Sequence, residues 1–369
     1  MATKTFQIEQ LPPQYTAFYQ QYIDSAYRAF DLLREVGQAS PSGARLKFKF
    51  AANRVFNAHA SSSGDEHSVV VNIAVPVIIH FACNHLLQIP SLLPQIGAPS
   101  AETTQTVFSK GIPMALPDVP FAESIPTIIG GSRPIDDARA AAASLITQFA
   151  VSFCLFHEIA HVACGHTRRA PGRLSEFSGL RAHWPWPRRP SLSHVWEFEA
   201  DLNAGYMMAS TLLHGSNQAF YESILAPGGS STPQECVIAA ACIALWSTFS
   251  LVHHSGGQPR RSSSHPAPLV RLFSVMDELA SGSALFSHLP AHRFEEILTA
   301  SLSSADLAWS QLTGTQPLVD QTRILDGARQ EQAKLIAELH VRHGEYAENA
   351  WGISHFPDLA TPRKPSHGK

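Results

Sequence analysis

His157, Glu158 and His161 are spaced for metal chemistry. They stand in HEIAHVACGH, residues 157–166. At 3.6 residues per helical turn, positions i and i+4 share a face, so two imidazoles can reach one metal ion while the carboxylate beside the first leans over an open coordination position. A zinc ion held this way lowers the pKa of its water towards neutrality. A neighbouring carboxylate can then take the proton as a polarised carbonyl is attacked, and return it to the leaving amine. On this reading His157 and His161 are ligands of one Zn2+ per chain and Glu158 is the general base. A third protein ligand is still required.

Several residues compete for that place. Gly165 is expected to end the helix, leaving His166 at its C-terminus, where the helix dipole favours a cation or a donor. A metzincin would carry Gly three and His six residues after the second His. Cys164 and Thr167 stand there instead, which excludes that class. Downstream, SHVWEFEADLNAGYMMASTLL (Ser193 to Leu213) reads as a second helix, with Ser193 as N-cap and an apolar stripe through Val195, Phe198, Leu202, Tyr206 and Ala209. It carries Glu197 and Asp201 at i and i+4. One face therefore offers a carboxylate to the metal and, a turn later, a second that can accept the free ring N–H of a bound histidine. Acidic residues four apart also describe a solvated face, and Glu199 is an alternative ligand, although it points away from the Glu197 and Asp201 side.

A third element follows the polar stretch HHSGGQPRRSSS (253–264). In SHPAPLVRLFSVMDEL, Pro266 suits the first turn of a helix and His265 sits at its mouth. Taken in order, H-E-x-x-H, E-x-E-A-D and H-P-x-x-x-x-R resemble the gluzincin peptidases of the CAAX-prenyl-protease and HtpX family, and the soluble Lit-type phage-exclusion peptidases. The resemblance covers residues 151–275. It implies that His157, His161 and Glu197 bind zinc, that Glu158 is the general base, and that Asp201 is the matching Asp of the second motif. It also implies that His265 and Arg271 line the cleft and stabilise charge on the tetrahedral intermediate. The expected fold is α+β, a mostly helical zincin-like metallopeptidase with a small N-terminal β-sheet beside the HExxH helix. The expected activity is zinc-dependent endopeptidase action on a protein or peptide substrate, in stress response or phage defence.

The elements that must position these residues can be sketched from patterning. Residues 14–37 have a helical period with aromatic anchors. Residues 45–58 and 67–76 read as strands joined by a turn in SSSGDE, because Lys-Phe-Lys-Phe alternates and valines cluster. A strand of this kind beside a zincin helix commonly takes an extended substrate as an added strand. Pro and Gly crowd 90–134, which reads as a long surface connection. One long helix is expected from Pro134 to Gly165, with Asp136 and Asp137 in its first turn. Further helices are expected at 233–253, 266–281, 291–311 and 317–350. The resulting divisions are 1–89 (helix and sheet), 90–134 (connection), 135–281 (catalytic core), 282–351 (helical region) and 352–369 (mobile tail).

The 369 residues are 44% hydrophobic and 15% charged, enough for a substantial core, and a net charge of −3 gives no reason to invoke nucleic acid. MATKTFQIEQLPPQY lacks an apolar signal region, and five cysteines, odd in number and set in apolar runs, fit reduced thiols; both point to the cytoplasm. CVIAAACIALWSTFSLV (236–252) has no formal charge and reads as a buried core helix or, alternatively, as a membrane span. A span would make the chain a membrane-associated CAAX-type or HtpX-type peptidase. A non-catalytic zinc-binding regulatory protein is the other alternative, against which an intact Glu158 argues. The Arg- and Trp-rich stretch 167–191 reads as a solvated insertion, or as a flap for an acidic partner.

Overall fold

The computed structural model describes residues 5–36, 43–103, 108, 112–131, 133–169, 174–175, 192–213, 218–225, 231–254, 266–286, 289–318 and 322–346. In chain order the elements are α1 (Pro13–Val36), β1 (Arg45–Ala51), β2 (Ala58–Ser63), β3 (Glu66–Asn72), α2 (Ala74–Leu87), α3 (Phe121–Gly131), α4 (Asp137–Ala163), α5 (His166–Arg169) and β4 (Leu174–Ser175). They continue with α6 (Leu192–Leu213), α7 (Gln218–Ile224), α8 (Pro233–His254), α9 (Pro268–Phe286), α10 (Ala291–Thr313) and α11 (Thr322–Tyr346). The class is α+β, mostly helical with one small sheet. The expected mobile tail, 352–369, lies outside the described residues.

The central element is α4. It packs against α1, α2, α6 and α8, and β2 and β3 lie across it. Its start is fixed by polar groups: Asp136 is the N-cap and accepts from the Arg139 N–H at 2.9 Å, while the Glu102 carboxylate accepts from the N–H groups of Ile135 and Asp136. Its end is fixed by Gly165, whose φ of +77° an L side chain rarely adopts. The chain therefore reverses at once into α5.

The sheet order is β1-β3-β2-β4, with β1 parallel to β3 and the other pairs antiparallel. The expected strand over 45–58 is in fact two. Asn53 interrupts it by accepting from the Val55 N–H, and the Asn72 amide donates to the Val55 carbonyl, so β1 stops at Ala51 and β2 opens at Ala58 on the other side of β3. The turn in SSSGDE joins β2 to β3, and the outer edge of β2 carries β4 at His59 and Ala60. The expected strand 67–76 ends at Asn72, and α2 begins at Ala74 with Pro76 in its first turn, where a missing N–H is harmless.

The Pro- and Gly-rich connection is only partly on the surface. Leu92, Leu93, Ile96, Ile112 and Leu116 are buried. Buried backbone needs donors, and Arg139 of α4 supplies them: its guanidinium, fully buried, donates to the carbonyls of Leu87, Ile89, Leu92, Leu93 and Ile96 at 2.9–3.2 Å. α3 forms within the same stretch. Farther on, Pro268 and not Pro266 opens α9, because Ala267 precedes a proline and is biased away from helix. α4 and α8 are both long and apolar enough to cross a membrane. In this fold nearly all of α8 is buried against α4, α9 and α10, and most of α4 is likewise enclosed.

Arg139→Met keeps the buried stem and removes the donors. Five carbonyls would then lose a donor, and we expect a loss of about 4 kcal/mol and a fall in Tm of roughly 5 °C. Thermal unfolding of the variant by circular dichroism checks this. A melting curve that overlays the parent's would show that the loop does not depend on Arg139.

Candidate metal centre

α4 and α6 pack side by side and bring their motif residues together. His157 Nε2 lies 3.0 Å from His161 Nε2, and Glu197 places Oε2 3.3 Å from His157 Nε2 and Oε1 3.5 Å from His161 Nε2. His157, Glu158 and His161 are each 1% exposed and Glu197 is 4% exposed. Glu158, the next residue after His157 on α4, is thus shielded along with the three donors.

These residues fit a metal ion. Tetrahedral coordination at about 2.0–2.1 Å places ligand atoms roughly 3.3 Å apart; the two ring nitrogens are 3.0 Å apart, and Glu197 sets a different oxygen against each, at 3.3 and 3.5 Å. The protonation pattern agrees. His157 Nδ1 lies 2.9 Å from Asp201 Oδ1, so a proton kept on that nitrogen faces the carboxylate and Nε2 is left with its lone pair. Burial pushes His161 down to about 4, so its imidazole is neutral as a ligand must be. Two lone pairs and a carboxylate converging without a cation between them would repel.

Asp201 is itself held. Arg271 of α9 donates from Nε and Nη2 to the two Asp201 oxygens at 2.7 and 2.8 Å, and its Nη2 is 3.8 Å from Glu197 Oε2. The guanidinium carbon lies 5.4 Å from the centre of the Phe249 ring. The close approach that makes this pairing possible depends on Gly205, one turn beyond Asp201. A Cβ there would meet the Val275 carbonyl and the Glu278 Cβ at 3.1 Å. Asp277, a conceivable surface partner for Arg271, instead accepts from Arg329 and Gln332.

The helix face opposite Glu197 is not solvated. Glu199 is 2% exposed, and its Oε2 lies 3.0 Å from His166 Nε2. His166 Nδ1 in turn lies 2.9 Å from His161 Nδ1, and its ring stacks on Trp196 with centroids 5.5 Å apart. Cys164 Sγ accepts from the Asn203 amide at 3.4 Å, and burial drives its thiol well above the ordinary range. Cys164, His166 and Glu199 form a second buried group whose donor atoms lie within 4.8 Å of one another. Sequence reasoning placed His166 at a helix end and turned Glu199 away from the site. Gly165 ends the helix as the sequence indicates, and its reversal also folds His166 back against His161, a consequence that the local pattern does not show.

The structure therefore brings together His157, Glu158, His161, Glu197, Asp201 and Arg271. His265 lies outside the described residues, as does most of the Arg- and Trp-rich stretch 167–191. Helix α6 starts one residue before Ser193, so that Ser is not the cap.

Residues 110–288, just under half of the chain, match the family model Peptidase U49, which supports a peptidase. The matched span takes in the whole of α4, α6 and α9, the three helices that build the centre. Searches of the curated proteins and of the solved structures each give no match.

Replacing His157, His161 or Glu197 by Ala removes one of the three candidate ligands and should lower metal content from about one zinc per chain to a small fraction of that. Asp201→Asn should retain the site but weaken zinc binding by roughly ten- to a hundredfold. Elemental analysis of purified variants, with chelator competition for affinity, measures both. Full zinc in Glu197→Ala would remove Glu197 from the ligand set.

Proposed function

We propose that this chain is a zinc-dependent endopeptidase of gluzincin type that hydrolyses peptide bonds of a protein substrate. The observation that carries the reading is the convergence of His157, His161 and Glu197, at separations a tetrahedral ion demands, beside the buried carboxylate of Glu158. Those three side chains would hold one zinc. When bound, zinc supplies Lewis acidity for the carbonyl and lowers the pKa of water.

The rest is work for the protein's own groups. Asp201 accepts the Nδ1 proton of His157 and fixes the ring with Nε2 inward, and Arg271 fixes Asp201 by a two-point contact. Glu158 takes a proton from the attacking water and delivers it to the nitrogen of the leaving amine, so the peptide C–N bond breaks to give a neutral amine. Arg271 contributes its positive charge from behind Asp201 and Glu197. To His265, six residues before Arg271, this reading assigns charge stabilisation on the tetrahedral intermediate.

A gluzincin reading is supported by the order of the motifs, and the Peptidase U49 match, the Lit protease family, favours phage defence as the setting. None of the five cysteines is in a disulfide, which supports the cytoplasm as its compartment. The enclosure of α8 within the helical core favours the soluble form of this reading over a membrane-associated peptidase. Glu158, buried at the metal-facing helix, favours catalysis over a purely structural zinc site.

Glu158→Gln preserves shape but cannot accept a proton at neutral pH. We expect it to keep its zinc and to lose cleavage by at least a hundredfold. Proteomic detection of new protein termini in cells expressing the parent or the variant identifies the substrate and reads the loss. Equal sets of new termini in the two would sink the mechanism, and no new termini with the parent would remove the endopeptidase reading itself.

A further inference from the structure

We infer that His166 and Glu199 are positioning residues for the metal centre, forming a relay that holds His161 in its ligating tautomer. The inference rests on the reading of His157, His161 and Glu197 as zinc ligands. If His161 Nε2 faces the metal as a lone pair, the single proton of its neutral ring must sit on Nδ1. Nδ1 lies 2.9 Å from His166 Nδ1, so that atom must be the acceptor. The proton of a neutral His166 is then on Nε2, which lies 3.0 Å from Glu199 Oε2 and donates to it. Every tautomer in the chain follows from the first. His157 reaches Asp201 directly and His161 reaches a carboxylate through one further imidazole, so each ligating ring is backed by an acid on α6.

Three observations show that the relay is built. His166 is fully buried and Glu199 nearly so, which is a poor place for ionisable groups without a partner. Trp196 stacks on the His166 ring at an interplanar angle of 19° and fixes its plane. Gly165, at positive φ, turns the chain so that a residue five positions after His161 lies against it. The same atoms argue against a second metal at Cys164, His166 and Glu199. The His166 nitrogen facing Glu199 must carry a proton, and Asn203 already donates to the Cys164 sulfur.

The test is zinc affinity by chelator competition on the full chain, with zinc stoichiometry and the visible spectrum of the cobalt-substituted protein. His166→Phe keeps a ring against Trp196 and removes both nitrogens; it should weaken zinc binding by about ten- to a hundredfold. His166→Gln can accept from His161 and donate to Glu199, so it should recover most of that loss, a rescue that simple packing would not give. Glu199→Gln, nearly isosteric and usable even if His166→Phe fails to fold, should weaken binding less and shift the cobalt absorption bands. Parental affinity and an unchanged cobalt spectrum in folded His166→Phe or Glu199→Gln would overturn the relay. So would two zinc ions per chain with one lost in Cys164→Ala. A parent chain that binds no zinc, or a His157→Ala variant with parental zinc, would overturn the metal reading itself and the relay with it.

Discussion

Two imidazole nitrogens 3.0 Å apart, with a carboxylate against both, impose the condition that the surrounding structure satisfies. Neutral rings that turn lone pairs towards one another must carry their protons on the far side, and each proton needs an acceptor. In a solvated site water would serve. Here the rings are nearly inaccessible, so the acceptors are built from protein, Asp201 behind one ring and His166 behind the other. The positions of α6 and α9, and the reversal after α4, follow from that need.

Burying so many acids and bases is unfavourable unless charges are offset and hydrogen bonds completed. Arg271 lies close to two carboxylates of α6, and the glycine at 205 lets its helix come near enough to do so. At the other end of α4, Arg139 solves a different problem with the same chemistry, gathering loop carbonyls so that an irregular stretch can be part of the core. The two arginines bracket the helix that carries His157 and His161. One secures its N-terminal surroundings, the other the acid behind the first ring.

Much of the site was legible in the sequence because helical spacing is a local rule. His157 with His161, and Glu197 with Asp201, are i and i+4 pairs, and geometry on one helix survives whatever the rest of the chain does. The partners that were missed depend on long-range or irregular structure. Nothing local shows that Glu199 meets His166, since a turn at positive φ and a second helix must both be in place. Arg139, in the first turn of a helix, reads as a solvated charge until the loop it serves is seen. In the fold, β2 has the sequence AHASSS, without the branched or aromatic residues that mark a strand, and it exists because β3 pairs with it. α2 is buried on nearly all sides, so its apolar run shows no stripe to distinguish it from a strand.

The near-complete enclosure of the three donors also bears on how an ion would come and go. A chelator, like a peptide substrate, would reach an ion ringed by side chains that are 1–4% exposed only after local opening of the protein, so release and cleavage would share one event governed by the protein and not by the reagent. Above a modest concentration, stripping should proceed at a rate independent of how much chelator is added. Retention of the ion would then be a property of time more than of affinity: a chain that folds around its ion would carry it for as long as α4 and α6 stay together.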